Sequence, residues 1–376
     1  MKFCNATLLA PDGFVSGDIA LVEGKIAEDG DGREIDLAGL WVLPGMIDLH
    51  GDGFERHIAP RRGALKDLSP GLHAADAELA SSGITTAMLA QFFSWEGGMR
   101  GPDFAERFAT ALREEPGLLT DMKLQLRLET HLLEDYARFE ALVESSGAPY
   151  VVFNDHVPHD ALAKGKRPPR LTGQALKAGR NPETHHALLQ SLHDNRDAVP
   201  EAVSALASRL AAKGIFLGSH DDNSAEQRAE WRVRGARLSE FPETREAAAA
   251  AKAAGDAVVL GAPNVVRGNS HKGNVSATDL LREGLGDAIA SDYHYPAMRQ
   301  AVSRLVAQDI LPFEAAWKLV SEGPADVLGF ADRGRIEIGK RADLVVMDPE
   351  TGRIGATFVA GKIAFMAGPI AARFLS

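Results

Sequence analysis

Leu43-Pro44-Gly45-Met46-Ile47-Asp48-Leu49-His50-Gly51-Asp52 is a short apolar run that follows a Pro-Gly break and ends on side chains able to bind metal. In an extended chain successive side chains point to opposite faces, so His50 and Asp52, two apart, share a face and can reach one ion. Further along, apolar runs of strand length recur near residues 84–90, 124–129, 151–155, 215–219, 236–241, 257–261 and 288–291, which with 43–49 makes eight. Helix-period stretches such as Ala202 to Lys213 and the alanine-rich Thr244 to Ala254 fill the gaps. That alternation predicts an α/β chain with a parallel sheet, and eight strand–helix units predict a closed (β/α)8 TIM-like barrel whose strand ends meet at one mouth.

The two ends of the chain read differently. Asp18 to Val22, Glu23-Gly24 and Lys25 to Ala27 have hairpin grammar, and Gly334 to Gly339, Ala342 to Met347 and Thr357 to Ala364 are strand-like runs punctuated by glycine and charge. Residues 1–42 and 334–376 are therefore expected to supply the two parts of a small composite β-sandwich, and 43–333 the barrel. No internal repeat or low-complexity tract interrupts this plan.

Other strands repeat the feature that marks the first. In Leu124-Gln125-Leu126-Arg127-Leu128-Glu129 leucines alternate with polar residues, so Gln125, Arg127 and Glu129 should point into the barrel, where the Glu129 carboxylate can bridge two ions. The run 150–153 leads into Asn154-Asp155-His156, 215–219 into His220, and 288–291 into Asp292, a carboxylate that can contact metal and take a proton from water. Singly, each is as well read as a hydrogen-bonded structural residue, and Glu129 as a partner of Arg127. Jointly they make a ligand set. Imidazole and carboxylate donors suit a zinc-like or manganese-like ion, which lowers the pKa of water toward neutrality. His131 is a competing ligand or substrate contact, whereas His73 and the pair His185-His186 lie in polar helical stretches and read as solvated.

Composition sets the outer limits. The chain has 376 residues, 45% hydrophobic and 25% charged, an ordinary globular balance able to bury a large core. Cys4 is the sole cysteine, so an internal disulfide framework and a cysteine-rich zinc site are excluded, and a reducing compartment is permitted. With no signal-like or membrane-length apolar run, a cytoplasmic protein without a membrane partner is expected. A net charge of −11 disfavours nucleic acid but not a local anion pocket; self-association stays open.

The strand ending Pro44-Gly45-Met46-Ile47-Asp48-Leu49-His50 and the segment Gly334-Arg335-Ile336-Glu337-Ile338-Gly339-Lys340-Arg341-Ala342-Asp343-Leu344-Val345-Val346 resemble the amidohydrolase superfamily. Its members commonly carry His-x-His on the first strand and a carboxylated lysine as metal bridge. Here Asp52 stands for the second histidine and Glu129 for the lysine, departures that point to a subgroup. The subgroup resembled is the diphosphatases of the carbon–phosphorus lyase pathway, on Asp48-Leu49-His50-Gly51-Asp52-Gly53-Phe54-Glu55-Arg56-His57, Asn154-Asp155-His156-Val157-Pro158, Gly218-Ser219-His220-Asp221-Asp222 and the run from Gly261 to Ala277. One departure is an extra residue after Asp292, in Ser291-Asp292-Tyr293-His294-Tyr295-Pro296-Ala297.

The resemblance implies a metal site of His50, Asp52, Glu129, His156, His220 and Asp292, with a pair of divalent ions, zinc or manganese, and Asp292 as the catalytic base. It further implies a small phosphorylated substrate, ribose 1-methylphosphonate 5-triphosphate, split to the 5-phosphate and pyrophosphate. Such a substrate needs positive charge, for which Arg56, His57, Arg61, Arg267, His271 and Lys272 are the candidates, though each cation also fits a solvated surface. The glycine-rich loop holding Arg267, His271 and Lys272 can add backbone donors. The rival readings are a C–N hydrolase, such as a cyclic amidase or nucleobase deaminase, and a metal-binding barrel without activity.

Overall fold

The computed structural model describes residues 1–61, 63, 65–268 and 274–375. Its first five strands are β1 (Lys2–Ala10), β2 (Gly13–Val22), β3 (Lys25–Ala27), β4 (Glu34–Asp36) and β5 (Trp41–Pro44). Eight more follow: β6 (Met46–Gly51), β7 (Ile84–Phe93), β8 (Asp121–Glu129), β9 (Tyr150–Asn154), β10 (Phe216–His220), β11 (Leu238–Glu240), β12 (Ala257–Gly261) and β13 (Ala288–Ala290). The last three are β14 (Leu344–Asp348), β15 (Arg353–Val359) and β16 (Lys362–Met366).

Strands β6 to β13 pair in sequence order, all parallel, with helices between them. All eight overlap the predicted apolar runs, although of the run expected at 43–49 Leu43 and Pro44 end β5 of the terminal sheet and the barrel strand begins at Met46. Because helices cover the outside and side chains fill the inside, strands such as β7 are buried along their whole length. On β8 the alternation holds: Leu124, Leu126 and Leu128 pack outward with helical residues such as Phe139 and Leu142, while Gln125 and Arg127 face inward. Side-chain caps start several outer helices, Ser224 accepting from the Gln227 N–H and Thr244 from the Ala247 N–H.

The barrel closes between β6 and β13 through short-range bonds that involve the candidate ligands themselves. The Asp292 N–H donates to the His50 carbonyl and the Asp52 N–H to the Asp292 carbonyl, both at 2.9 Å. Behind them the buried Asp48 carboxylate accepts from the Ser291 N–H (2.9 Å) and hydroxyl (2.5 Å).

The terminal strands join in one composite sheet, ordered β16-β15-β14-β5-β1-β2-β3 with β4 beside β1. It folds around its own core, in which Phe3 packs edge-on to Phe358 and Phe374 at 5.2 and 5.9 Å. The chain crosses from this sheet to the barrel at Gly45, where a Cβ would lie 2.4 Å from the Thr85 side chain, so only glycine allows the close approach. At the opposite end of β8, Asp121 Oδ2 accepts from Arg333 (2.6 Å) and Arg341 (2.8 Å), pinning the barrel to the C-terminal segment. Among the described residues no helix is long and apolar enough to cross a membrane.

Candidate active site

Three strands leave the barrel with the same local geometry. Asp221, Phe241 and Asp292, at the exits of β10, β11 and β13, have φ of +58°, +54° and +56°. Side chains rarely adopt this left-handed region, and its cost is tolerated where surrounding bonds over-determine it. Here the N–H of each still donates to the neighbouring strand end, to Glu240, Val259 and His50 respectively, before the chain turns away.

The six sequence-predicted ligand residues all reach this mouth, five of them in overlapping groups whose ligand atoms lie within 4.8 Å of one another. His50, Asp52 and Asp292 form one group at the closure seam; His156, His220 and Asp221 form another; His50 and His220 form a third with Glu240. Glu129 joins through His156, its Oε1 2.5 Å from Nδ1, and its Oε2 accepts from the Trp95 indole N–H (3.1 Å) and the His156 backbone N–H (3.0 Å). Those are its partners; it does not pair with Arg127. Arg127 instead stands between His50 and His220, 3.3 and 3.1 Å from their Nε2 atoms, with its guanidinium over the Phe92 ring.

Charge follows from this packing. Burial alone would raise the Glu129 pKa, but His156 beside it holds the carboxyl below its ordinary range, and Glu129 in turn lifts His156 to about 10 against the penalty of burial. Burial raises Asp292 to about 6, with His50 opposing and Asp52 adding to the rise. Burial lowers His220, so it stays neutral with a lone pair to give.

Sequence reasoning missed Glu240, and it gave Asp221 and the inward-pointing Arg127 no role in the site. Glu240 is fully buried: Oε1 accepts from the Gln125 amide and the Tyr150 hydroxyl, both at 2.7 Å, while Oε2 lies 2.8 Å from His50 Nδ1. Against its burial, His50 and neighbouring cations hold its pKa at about 2. The signal was present, a carboxylate at the last residue of the strand expected at 236–241, but Phe241-Pro242 drew no attention to it. The reading of His185 is corrected. The helix Pro182–Asp194 is amphipathic and docks His185, fully buried, 5.9 Å from Trp95, whereas His73 is half exposed and bonds Glu115.

The candidate anion-binding residues divide. Arg56 and His57 are both bonded to Glu78 of the helix Ser69–Ser81, and Arg56 also donates to the Tyr293 carbonyl (2.9 Å) at the rim. Arg61 is exposed on the surface. Arg267 lines a pocket that runs from Asp292 and Asp221 past Phe241, Pro263 and Tyr293, and it bonds the Tyr293 hydroxyl. Tyr293 belongs to the segment with the extra residue. His271 and Lys272 lie outside the described residues.

The model of the amidohydrolase family matches residues 56–363. The chain belongs to the amidohydrolase family. Over 359 residues it is 32% identical to the alpha-D-ribose 1-methylphosphonate 5-triphosphate diphosphatase of Escherichia coli K12, an alignment covering 91% of this chain and 93% of that one. Among solved structures, the N-acetylglucosamine-6-phosphate deacetylases of Pasteurella multocida and Thermotoga maritima each align with a TM-score of 0.63. They are 14% and 16% identical and cover 96% and 98% of this chain, and 98% and 100% of their own. At such identities they share the amidohydrolase fold, and nothing about substrate follows.

Proposed function

We propose that this amidohydrolase-family hydrolase is a divalent-metal-dependent diphosphatase that cleaves ribose 1-methylphosphonate 5-triphosphate, or a closely related phosphorylated compound, to the 5-phosphate and pyrophosphate. The observation that carries this reading is the convergence of buried nitrogen and oxygen donors on one mouth, beside a pocket that leads to Arg267. The diphosphatase relative, aligned over nine-tenths of both chains, supports it.

The residues fit metal. His50 Nδ1, His220 Nδ1 and Glu240 Oε2 are buried and form no aligned hydrogen bond, although His50 and Glu240 lie 2.8 Å apart. In folded proteins most buried polar atoms find hydrogen-bond partners, so ligand atoms left facing one another in this way suit an ion. His50, Asp52, Glu129, His156, His220 and Asp292 would hold a pair of divalent ions, zinc or manganese. When bound, such ions acidify water and neutralise phosphoryl charge.

The chain's own groups do the rest. Asp292, ionised above about pH 6, accepts the proton of the water that attacks phosphorus. The bond from that phosphorus to the bridging oxygen breaks, and pyrophosphate leaves. Arg127, fixed over Phe92, supplies positive charge that needs no reorganisation, and Arg267 holds the anionic tail.

A hydrolysis panel tests this, run over ribose phosphonate triphosphates, nucleoside triphosphates and cyclic amides with metal content measured alongside. Pyrophosphate release from the phosphonate triphosphate is expected. Ammonia release or ring opening without pyrophosphate would replace it with C–N hydrolysis, and metal uptake without any turnover would leave an inactive barrel.

A further inference from the structure

A second cluster of ligating side chains lies outside the set assigned above. His131, Asp155 and His159 offer ligand atoms within 4.8 Å of one another. The first two lie on the turns that follow β8 and β9, and the third opens the short helix His159–Ala163. Asp155 sits at the centre, with Oδ1 3.4 Å from His131 Nδ1 and Oδ2 3.3 Å from His159 Nε2, and the two rings are 4.7 Å apart.

We propose that His131, Asp155 and His159 form a further divalent-ion site, of the open two-histidine, one-carboxylate type, that takes a zinc-like ion. The spacing is the first argument. Four ligands at about 2.0–2.1 Å around zinc stand about 3.3–3.4 Å from one another along a tetrahedral edge, the distance at which each histidine nitrogen stands from an oxygen of Asp155, His131 from Oδ1 and His159 from Oδ2. The second argument is support. His159 Nδ1 lies 2.8 Å from His193 Nδ1 on the helix Pro182–Asp194, an outer partner that orients the ring so that Nε2 faces Asp155. The Val157 N–H donates to Asp155 Oδ1 (3.1 Å), and Val157, Leu162, Leu171 and Leu189 pack behind the turn with Trp95. The third argument is access. His131 is buried as a fixed wall, while Asp155 is 40% and His159 29% exposed, which leaves an entry path and room for a water as fourth ligand. Bound there, the ion would clip together the exits of β8 and β9, the same turns that present Glu129 and His156.

The test uses the full chain, stripped with chelator and titrated with zinc alone, bound metal being counted by elemental analysis and calorimetry. A His50→Asn, His220→Asn variant disables the mouth and should still take up one equivalent, which disappears when His159→Ala is added. His193→Ala should weaken that equivalent by about 10- to 100-fold. Circular dichroism and thermal unfolding check the fold. If His159→Ala does not fold, Asp155→Asn, close in volume, carries the same comparison. Equal zinc stoichiometry and affinity with and without these substitutions would overturn the site. The mouth assignment stands or falls separately, on the His50 and His220 variants.

Discussion

Replacing Glu240 with Gln removes one charge from the mouth and almost no volume. In the parent the carboxylate accepts from Gln125 and Tyr150, both at 2.7 Å, and faces His50 Nδ1 at 2.8 Å and His220 Nε2 at 3.8 Å. An amide has one acceptor oxygen. If that oxygen serves Gln125 and Tyr150, the amide N–H groups turn on His50; if it serves His50, they confront two donors. Hydrogen bonds to charged groups are worth about 1.5–3 kcal/mol and neutral ones about 0.5–1.5, so weakening two should cost about 2–3 kcal/mol of stability. The loss for metal should be about 10- to 100-fold in affinity, the usual effect of removing a carboxylate that orients a ligating histidine. Two measurements separate these effects: denaturant unfolding in excess chelator reads the fold alone, and zinc titration of the folded, stripped variant reads the site. Metal affinity within about threefold of the parent, with stability lost as expected, would show that Glu240 only braces the barrel. Parental values in both would refute the electrostatic account of the mouth.

Asp292→Asn should keep the fold and lower turnover by about 10²–10⁴, the usual effect of losing a general base; near-parental turnover in a kinetic assay would move that role elsewhere. Arg267→Ala should raise KM for triphosphate esters by about tenfold to a hundredfold, a charge-assisted contact of about 1.5–3 kcal/mol, with metal content unchanged; equal handling of triphosphates would remove it from the anion pocket. Asp121 links the two sheets, and although burial alone would raise its pKa, Arg333 with Lys123 and Arg341 depresses it to about 2. Its contribution is therefore complete above the ordinary value of 3.8 and is lost as pH falls through about 2. After solvent screening, Asp121→Asn should cost about 1 kcal/mol in urea unfolding at pH 7 and less at pH 2.5; a pH-independent difference would refute the charge explanation.

The sequence alone determined the barrel and its contents because strand burial and strand ends are local properties. Eight apolar runs separated by helical segments specify parallel pairing, and the alternation in Leu124 to Glu129 specifies which side chains enter the interior. That His50, Asp52, Glu129, His156, His220 and Asp292 would gather at one mouth was legible for the same reason: each lies at or just after a strand end, and parallel strands bring their ends together. Pairing across the chain was not legible. That Glu240 would sit within reach of both His50 and His220 depends on where β11 falls beside β10 and on the closure that brings β6 round to face it, and no local pattern encodes either. Arg56 and His57 look free for phosphate in sequence, yet a helix that begins a dozen residues later brings Glu78 against both. The polar stretch holding His185 hides an apolar face that appears only when the helix Pro182–Asp194 docks over Trp95. In each case a charge or ring found its partner only when separate elements packed together, where the cost of burying an unpaired group selects the contact, and that cost is set only once the chain has folded.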